Sequence, residues 1–397
     1  MYKWPDEIKQ IIGEVLFSQD PIFCLEKHVN IPLAQNITFL LFDGNQTTNF
    51  KNIVYEYCNA KYSIVALGNY NNTAVVNTTI LSERNDTVSL EIAYCIDIDS
   101  NIASMLPKII KDKPLDNDLF SFLEFIKTNN LNLNLLPYLL EDSLNSTGMG
   151  NEASVYECLL SFFTFKRLSL TELNSLPMTP DTEDYLFADN AWSQMKHSRF
   201  HERNEEKRVR CIYCFLLKVY SIKFQNKKSP EKKILELINF INTELGVYLE
   251  AGMILAYWLY SGAHECVIQF FQKIQLKSKN KLKNIEGMAW DLFHLWDIPT
   301  EMAILSTQYK IMLPALATHD DALAKISKLN PITRIAFYSN EAQVKYKFSL
   351  EDVLDDSPML NSISDYQSQR EQICETINLL NLSTQLEQQF IELFDIH

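Results

Sequence analysis

One run of residues constrains the fold more than any other, because it lacks the alternation of a half-exposed strand. Residues 88–96 read Val-Ser-Leu-Glu-Ile-Ala-Tyr-Cys-Ile, and every residue after Glu91 is apolar or aromatic. Such a strand is buried on both faces, which is typical of a parallel sheet covered by helices. The run leads into Asp97–Ser100, where Ser100 is suited to capping a helix predicted over 101–111. The sequence therefore predicts an α/β fold with a parallel core sheet.

Strand-like and helix-like patterns divide the chain into three predicted segments. Residues 1–90 form a β-rich N-terminal segment, residues 91–330 form the core with a large helical insertion over about 145–285, and residues 331–397 form an acidic helical C-terminal region. The predicted strands besides the buried run are Ile37–Phe42, Tyr62–Leu67, Thr73–Leu81 and Leu313–Ala317. The predicted helices of the core outside the insertion are 101–111, 117–128, 133–145, 285–296 and 299–309.

Composition limits the partners and the compartment. A net charge of −14 argues against general electrostatic binding to nucleic acid or anionic membrane, although it is compatible with a local basic groove. The eight cysteines lie mostly in apolar runs, so we interpret them as buried free thiols. No apolar stretch reaches the roughly 20 residues that cross a bilayer, and the first residues lack a signal-peptide pattern. We expect a cytoplasmic protein without a membrane partner.

Acidic residues after two predicted strands form the first half of a candidate metal site. Asp99 follows the buried run, and Asp320 follows the strand at Leu313–Ala317. Ligand sites in open α/β sheets lie beyond the carboxyl ends of strands, so both carboxylates are expected to face one crevice. Asp97 and Asp321 are reserve ligands beside them. An Asp before a helix is also the usual N-cap residue, and this interpretation stays open for Asp99 and Asp320.

Two further acidic residues lie in predicted helices. Asp291 sits at the edge of the apolar face of helix 285–296, from which a carboxylate can point into a cleft. Glu141 follows Pro137, which is suited to a first helical turn. Taken singly, Glu141 is more often a surface residue and Asp291 a hydrogen-bonded boundary residue. Taken with Asp99 and Asp320, they indicate a site for a hard divalent cation.

The four acidic segments resemble the motifs of PIN-domain nucleases, in the order of that family. Asp99-Ser-Asn101 matches the first motif, in which an apolar strand ends in Asp-x-Asn. Thr318-His-Asp320, followed by the apolar Leu323, matches the last motif. The segments around Glu141 and Asp291 take the two middle positions.

This resemblance implies a fold, a cofactor and an activity. The family has an α/β/α fold around a parallel sheet, so residues 91–330 would be a PIN-like core. Its acidic residues bind Mg²⁺ or Mn²⁺, which prefer oxygen ligands, and cleave RNA or DNA. We expect RNA rather than DNA, and a role as a toxin or phage-defence effector. The implied catalytic residues are Asp99, Glu141, Asp291, Asp320 and Thr318. The implied metal ligands are the four acidic residues of that set, together with Asp97 and Asp321. Asn101 is expected to position Asp99 beside the substrate.

A nucleic-acid substrate needs positive charge near an acidic centre. Residues 273–283 contain five lysines and no acid, directly before the helix that carries Asp291. The predicted substrate-binding residues of this basic cluster are Lys277, Lys279, Lys281 and Lys283. A second basic run, Lys196–Lys233, is more readily explained as a solvated helix face.

A non-catalytic interaction or scaffold protein is the alternative hypothesis. Residues 361–395 contain two amphipathic patterns, the first with Ile373, Ile377 and Leu380 and the second starting at Leu386. Their apolar faces could pack on the body of the protein, on a second copy of the chain or on a regulatory protein.

Overall fold

The computed structural model describes residues 4–43, 56–70, 73–82, 91–111, 115–145, 152–175, 177–197, 205–225, 227–275, 277–306, 310–354 and 357–395. The chain forms two compact units. The first comprises Met1–Ser198 and Leu295–Lys347, and the second comprises Arg199–His294 and Phe348–His397. The segment boundaries predicted at residues 90 and 330 both fall inside the sequence range of the first unit.

The first unit holds two sheets built from nine strands among the described residues. In chain order these are β1 (Thr38–Leu41), β2 (Tyr57–Cys58), β3 (Ser63–Ala66), β4 (Ala74–Asn77), β5 (Glu91–Ile98), β6 (Asn132–Asn134), β7 (Lys310–Thr318), β8 (Ile332–Tyr338) and β9 (Glu341–Tyr346). Its helices are α1 (Asp6–Phe17), α2 (Pro21–Glu26), α3 (Thr78–Ser82), α4 (Ser100–Ala103), α5 (Asn117–Thr128), α6 (Leu136–Asn145), α7 (Glu152–Arg167), α8 (Leu170–Leu173) and α9 (Thr182–His197), with 3-10 turns at Pro32–Asn36 and Leu106–Ile109.

The five-stranded sheet has the order β2-β3-β7-β5-β6. β5 pairs in parallel with both β6 and β7, whereas β3 pairs antiparallel with β7 and with β2. The prediction of an α/β fold with parallel pairing around residues 91–98 is therefore confirmed, within a sheet that is mixed. From Ile311 to Thr318 every residue of β7 is buried, as expected for a central strand covered on both faces.

One face of this sheet packs on a helical layer. Ile96 and Ile98 of β5, with Ala315 and Ala317 of β7, join a core completed by side chains of α4 to α9. β5 side chains alternate, so Asp97 points to the opposite face from Ile96 and Ile98. Asp97 therefore lies on the face of the sheet that points away from this helical layer.

The four-stranded sheet has the order β4-β1-β8-β9 and is antiparallel throughout. Helix α1 covers it with Ile8, Ile12 and neighbouring apolar side chains. β8 and β9 occupy residues 332–346, which were predicted to be helical. Ser339 and Asn340 have φ values of 49° and 62°, the left-handed conformation of a two-residue hairpin turn. The hairpin lacks the usual glycine, so its turn was overlooked in the sequence.

Several other boundaries differ from the predictions. The helix predicted over 101–111 ends at Ala103 and gives way to a 3-10 turn that contains Pro107, and Asp99 rather than Ser100 is its N-cap. The strand predicted to Leu81 ends at Asn77 and continues into α3. The helix predicted over 133–145 starts at Leu136, because the preceding residues pair with β5 as β6. The helix predicted over 117–128 is confirmed.

The second unit is helical in its described residues. It contains α10 (Glu205–Gln225), α11 (Pro230–Phe240) with a π turn at Ile241–Leu245, α12 (Glu250–Ser261), α13 (Glu265–Phe271), α14 (Lys281–Leu305) up to His294, α16 (Leu350–Val353), α17 (Ser357–Asp365), α18 (Gln367–Thr376) and α19 (Leu379–Asp395). Helix α15 (Asp321–Leu329) belongs to the first unit. None of the helices in the described ranges has the length and apolar character needed to cross a membrane.

Helix α14 replaces two predicted helices, 285–296 and 299–309. Pro299 lies inside it, at the start of the second predicted helix, and cannot donate a backbone hydrogen bond. The helix continues through this proline, so Asp297 and Glu301, four residues apart, lie on one face.

Candidate functional site

The carboxyl ends of β5, β6 and β7 meet at one edge of the five-stranded sheet. Asp97 is in register with Asn134 of β6 and with Leu316 of β7, and Ile98 is in register with Ala317. Because these strands are parallel, the residues that follow them lie close together. Two groups of polar side chains result, one around Asp99 and one around Asp97.

Asp99 caps the short helix α4. Its Oδ1 accepts a hydrogen bond from Ile102 N at 2.9 Å, and its Oδ2 accepts from the hydroxyl of Thr318 and from His319 N at 3.3 Å. The Asn101 side chain also hydrogen-bonds this carboxylate. Burial raises the pKa of Asp99, and the hydrogen bonds offset part of that rise by stabilising the charged form.

Asp320 caps helix α15 in the same way. Its Oδ1 accepts from Ala322 N at 2.9 Å and from Leu323 N at 3.1 Å. Its backbone N donates to Thr318 Oγ1 at 2.9 Å, so the Thr318 hydroxyl links the loops that follow β5 and β7. The structure thus brings Asp99, Thr318 and Asp320 together, and both acids serve as N-caps.

A second group, the buried acidic cluster, consists of Asp97, Asp297 and Glu301. All three side chains are buried, with 0%, 4% and 6% of their residue surface exposed. Asn134 Nδ2 donates to Asp97 Oδ1 and to Glu301 Oε2, each at 2.8 Å. Asn134 is itself held in place, because its Oδ1 accepts from Leu136 N at 3.0 Å.

The carboxyl groups of this cluster shift one another's ionisation. Burial raises the pKa of Asp97 to about 7, hydrogen bonds from Asn134 and Glu301 lower it, and the charge of Asp297 raises it. Burial, and then the charges of Asp97 and Asp297, raise the pKa of Glu301 well above its ordinary value. Glu301 therefore keeps its proton to a higher pH than an ordinary carboxyl group.

Sequence reasoning named Asp97 only as a reserve ligand and missed Asp297 and Glu301. The two acids are spaced i, i+4, which is the signal for one helical face, but the helix was predicted to break between residues 296 and 299. Asn134 had no local signal in the sequence, because β6 has only three residues. Their extended conformation depends on pairing with β5.

The other predicted site residues lie elsewhere. Asp291 belongs to the second unit, where its Oδ2 pairs with Lys273 Nζ at 2.9 Å. Glu141 is half-buried on α6. Asp321 is exposed and pairs with Lys325 at 2.6 Å. The predicted basic cluster also lies in the second unit, with Lys277, Lys279 and Lys283 exposed and Lys281 half-buried.

The donor set of the buried acidic cluster fits a hard divalent cation. It offers only carboxylate oxygens, and Asp97 Oδ2 is buried without an N–H or hydroxyl donor among the described residues. Within the described part of the chain, three candidate ligand side chains come within 4.8 Å of one another only at Glu14, Cys24 and His28. Cation binding by the acidic cluster therefore requires its side chains to draw closer together.

None of the family models, curated proteins or solved structures compared with this chain matches it.

Proposed function

We propose that this protein is a divalent-metal-dependent nuclease whose catalytic centre lies at the carboxyl edge of β5, β6 and β7. The observation that supports it most strongly is the double hydrogen bond from Asn134 to the buried carboxyls of Asp97 and Glu301. Two carboxyl groups away from water are costly unless a proton or a cation neutralises them. Asp97 and Asn134 lie at the carboxyl ends of two parallel strands, the edge of the sheet at which α/β proteins bind ligands.

In this proposal the buried acidic cluster holds Mg²⁺ or Mn²⁺. Asp97 and Glu301 would be the main ligands, Asp297 would complete the set, and Asn134 would orient the first two. A cation bound there would lower the pKa of a coordinated water and stabilise the leaving oxygen of a phosphodiester. Glu301 would release its proton when the cation binds, since ligation requires the carboxylate.

Asp99, Thr318 and Asp320 have a positioning role in the same proposal. Their hydrogen bonds fix the loops after β5 and β7 against each other, and His319 between them is exposed to solvent. These are also the segments that resemble the first and last motifs of PIN-domain nucleases. The resemblance supports phosphodiester cleavage here, with Asp97 rather than Asp99 as the inner ligand. Glu141 and Asp291 have no role in it.

The proposed substrate is nucleic acid, RNA in preference to DNA. The exposed lysines 277, 279 and 283 supply the positive charge that backbone phosphates need on a protein of net charge −14. All eight cysteines are free, which agrees with the cytoplasmic location that we propose. A toxin or phage-defence role stays a prediction of the resemblance.

Cleavage of labelled single-stranded RNA with Mn²⁺, with Mg²⁺ and with a chelator tests this function. Asp97→Asn and Glu301→Gln keep the side-chain shape and should lower the rate by about 100-fold or more, because each removes a charged ligand. Asp6→Asn and Glu124→Gln change exposed acids in the same chemical way and should leave the rate unchanged. Wild-type protein that cleaves neither RNA nor DNA with either metal would contradict the proposal.

A second candidate function, a scaffold that binds another protein or a second copy of the chain, is supported by exposed apolar side chains. Tyr185, Leu186 and Phe187 of α9 are each about half exposed, and so are Leu380 and Ile391 of α19. Large exposed apolar side chains in groups often mark interaction surfaces. Self-association in sedimentation experiments, combined with an absence of cleavage and of metal-dependent thermal stabilisation, would favour the scaffold over the nuclease.

A further inference from the structure

A group of three different metal-binding side chains lies in the first unit, on α1 and the segment containing α2. Glu14, Cys24 and His28 place a carboxylate oxygen, a sulfur and a ring nitrogen all within 4.8 Å of one another. Glu14 is exposed, whereas Cys24 and His28 are half-buried. We call this group the Glu–Cys–His cluster.

Local structure brings these residues together. Asp20 caps α2 by accepting a hydrogen bond from Phe23 N at 3.0 Å, and Pro21 occupies the first turn. The turn continues past the helix end, where His28 N donates to Leu25 O at 2.9 Å. Cys24 and His28 are four residues apart and therefore share one face of this turn.

Helix α1 supplies the third ligand. Val15 and Leu16 bury the neighbouring face of α1 in the core, which fixes the side of the helix that carries Glu14. Glu14 Oε2 lies 3.0 Å from His28 Nε2. One carboxylate oxygen and one ring nitrogen are thus already in contact, with the Cys24 sulfur beside them.

Two further side chains hold the ligands in orientation. Gln10 Nε2 donates to Glu14 Oε1 at 2.8 Å, which leaves Oε2 directed toward His28. The Ser18 side chain lies beside the thiol of Cys24, whose pKa it lowers, and is itself fixed, since Asp20 N donates to Ser18 Oγ at 3.1 Å. Outer partners of this kind are typical of metal sites, because they set the direction of the ligand atoms.

We propose that Glu14, Cys24 and His28 form a zinc site, with water as the fourth ligand. Sulfur, imidazole nitrogen and carboxylate oxygen are the three ligand types of protein-bound Zn²⁺, whereas Mg²⁺ takes oxygen ligands. Three protein ligands with an open fourth position form the usual arrangement of a reactive zinc site. Binding replaces the Glu14–His28 contact and releases the thiol proton of Cys24 to solvent, and the proton on His28 Nε2 moves to Nδ1 or, when both ring nitrogens are protonated, to solvent.

The surroundings of the Cys24 thiol disfavour its charged form in the metal-free protein. Burial, and then the charge of Glu14, raise the pKa of the Cys24 thiol. A divalent cation reverses this effect, because a coordinated thiol is deprotonated. The site does not depend on the buried acidic cluster, which offers oxygen ligands alone, so either metal site can be disproved without the other.

Titration of the reduced, chelator-treated full-length protein with Co²⁺ tests the site, since cobalt replaces zinc and reports its ligands by absorption. We expect one equivalent of Co²⁺ to give a thiolate-to-cobalt charge-transfer band that stoichiometric Zn²⁺ abolishes. Zn²⁺ should also raise the melting temperature as its concentration rises, since it binds only the folded form of this site. Oxygen-only sites cannot give the charge-transfer band.

Variants assign the band to this cluster. Cys24→Ser should abolish it, and Glu14→Gln and His28→Asn should greatly weaken Co²⁺ binding. Gln10→Ala should weaken it by about 10-fold, because it removes an orienting partner rather than a ligand. Cys58→Ser is the matched control, since it alters an exposed free thiol and should leave the titration unchanged.

Three results would overturn the proposal. The first is the absence of a charge-transfer band in folded wild-type protein at micromolar Co²⁺. The second is a band that survives Cys24→Ser, and the third is an equal loss of the band in Cys58→Ser. Far-ultraviolet circular dichroism of each metal-free variant establishes that the fold is intact, and His28→Asn tests the site independently if Cys24→Ser does not fold.

Discussion

The side-chain amide of Asn134 joins the carboxyl groups of Asp97 and Glu301, although these two acids come from a strand and a helix far apart in the chain. Asn134 Nδ2 lies 2.8 Å from an oxygen of each. The three side chains tie β5, β6 and α14 together at the carboxyl edge of the sheet. We propose that a cation acts where these two carboxyl groups meet.

Stability of the metal-free protein should fall as the pH rises. The pKa of Asp97 lies near 7 in the folded protein against an ordinary value of 3.8, and that of Glu301 is also raised. At pH values between the ordinary carboxyl pKa of the unfolded chain and the raised pKa of the folded protein, the folded protein holds protons that the unfolded chain has released. The free energy of unfolding therefore decreases as the pH rises through this range. The contribution of the two carboxyl groups to the free energy of unfolding is complete below about pH 4. It is lost as the pH rises past the pKa values that these groups have in the folded protein. Melting temperatures measured with a chelator from about pH 5 to pH 8 should show the decline.

Substitution and metal both modify that pH profile. Asp97→Asn should flatten it, because an amide does not titrate, whereas Asp6→Asn at a fully exposed position should leave it unchanged. Mn²⁺ should reduce the decline, since a bound cation stabilises the charged carboxylates. A decline of wild-type steepness in Asp97→Asn would show that other groups cause it.

Thr318 should stabilise the first unit through its hydroxyl rather than its methyl group. Its Oγ1 donates to Asp99 and accepts from Asp320 N, and the side chain is buried. Thr318→Val leaves both partners without this bond and should lower the free energy of unfolding by about 1–3 kcal/mol. Thr318→Ser should recover most of the loss in urea denaturation. Equal stability of the valine and serine variants would contradict this role.

Arg334 should be the most sensitive position of the four-stranded sheet. Its guanidinium pairs with Asp43 at 2.9 Å and donates to the backbone oxygens of Leu16 and Ser18, at the end of α1. Arg334→Met leaves these acceptors unpaired and should destabilise the protein by about 3–5 kcal/mol. Arg334→Lys should recover little of it, because an ammonium cannot reproduce the planar fork of donors. Denaturation midpoints measure both variants, and a lysine variant as stable as wild type would disprove the argument.

The exposed lysines of the basic cluster should control nucleic-acid affinity and its salt dependence. Each lysine that contacts a phosphate of single-stranded RNA adds about 0.7 to the slope of log K against log salt concentration. Lys277→Gln with Lys279→Gln should therefore reduce both the affinity and the slope in fluorescence anisotropy titrations. Lys9→Gln with Lys325→Gln removes the same charge from helices α1 and α15 and should change neither. Equal effects of the two double variants would indicate general electrostatics.

The sequence was sufficient where a local pattern determines the structure. The apolar run before Asp97 indicated parallel pairing and placed Asp97 and Asp99 at a strand end, although burial on both faces holds only from Cys95 onward and Ile92–Tyr94 are half-buried. Helix α5 was also predicted, and in the structure its buried residues recur at helical spacing and Asp116 caps it.

The sequence was insufficient where tertiary contacts decide. β6 is extended only because Asn132–Asn134 pairs with β5, so the position of Asn134 had no local signal. Helix α14 persists through Pro299, against the preference of that residue, and only this continuity aligns Asp297 with Glu301. The turn at Ser339 adopts a left-handed conformation that its side chain does not favour.

Direct measurement of Mn²⁺ binding by electron paramagnetic resonance tests the central claim, that Asp97 and Glu301 hold a catalytic cation. The background should be Cys24→Ser, so that the Glu–Cys–His cluster does not contribute. We predict saturable Mn²⁺ binding that is lost when Asp97→Asn and Glu301→Gln are combined and kept when Glu124→Gln is introduced instead. Unchanged Mn²⁺ binding by the Asp97→Asn, Glu301→Gln protein would contradict the account.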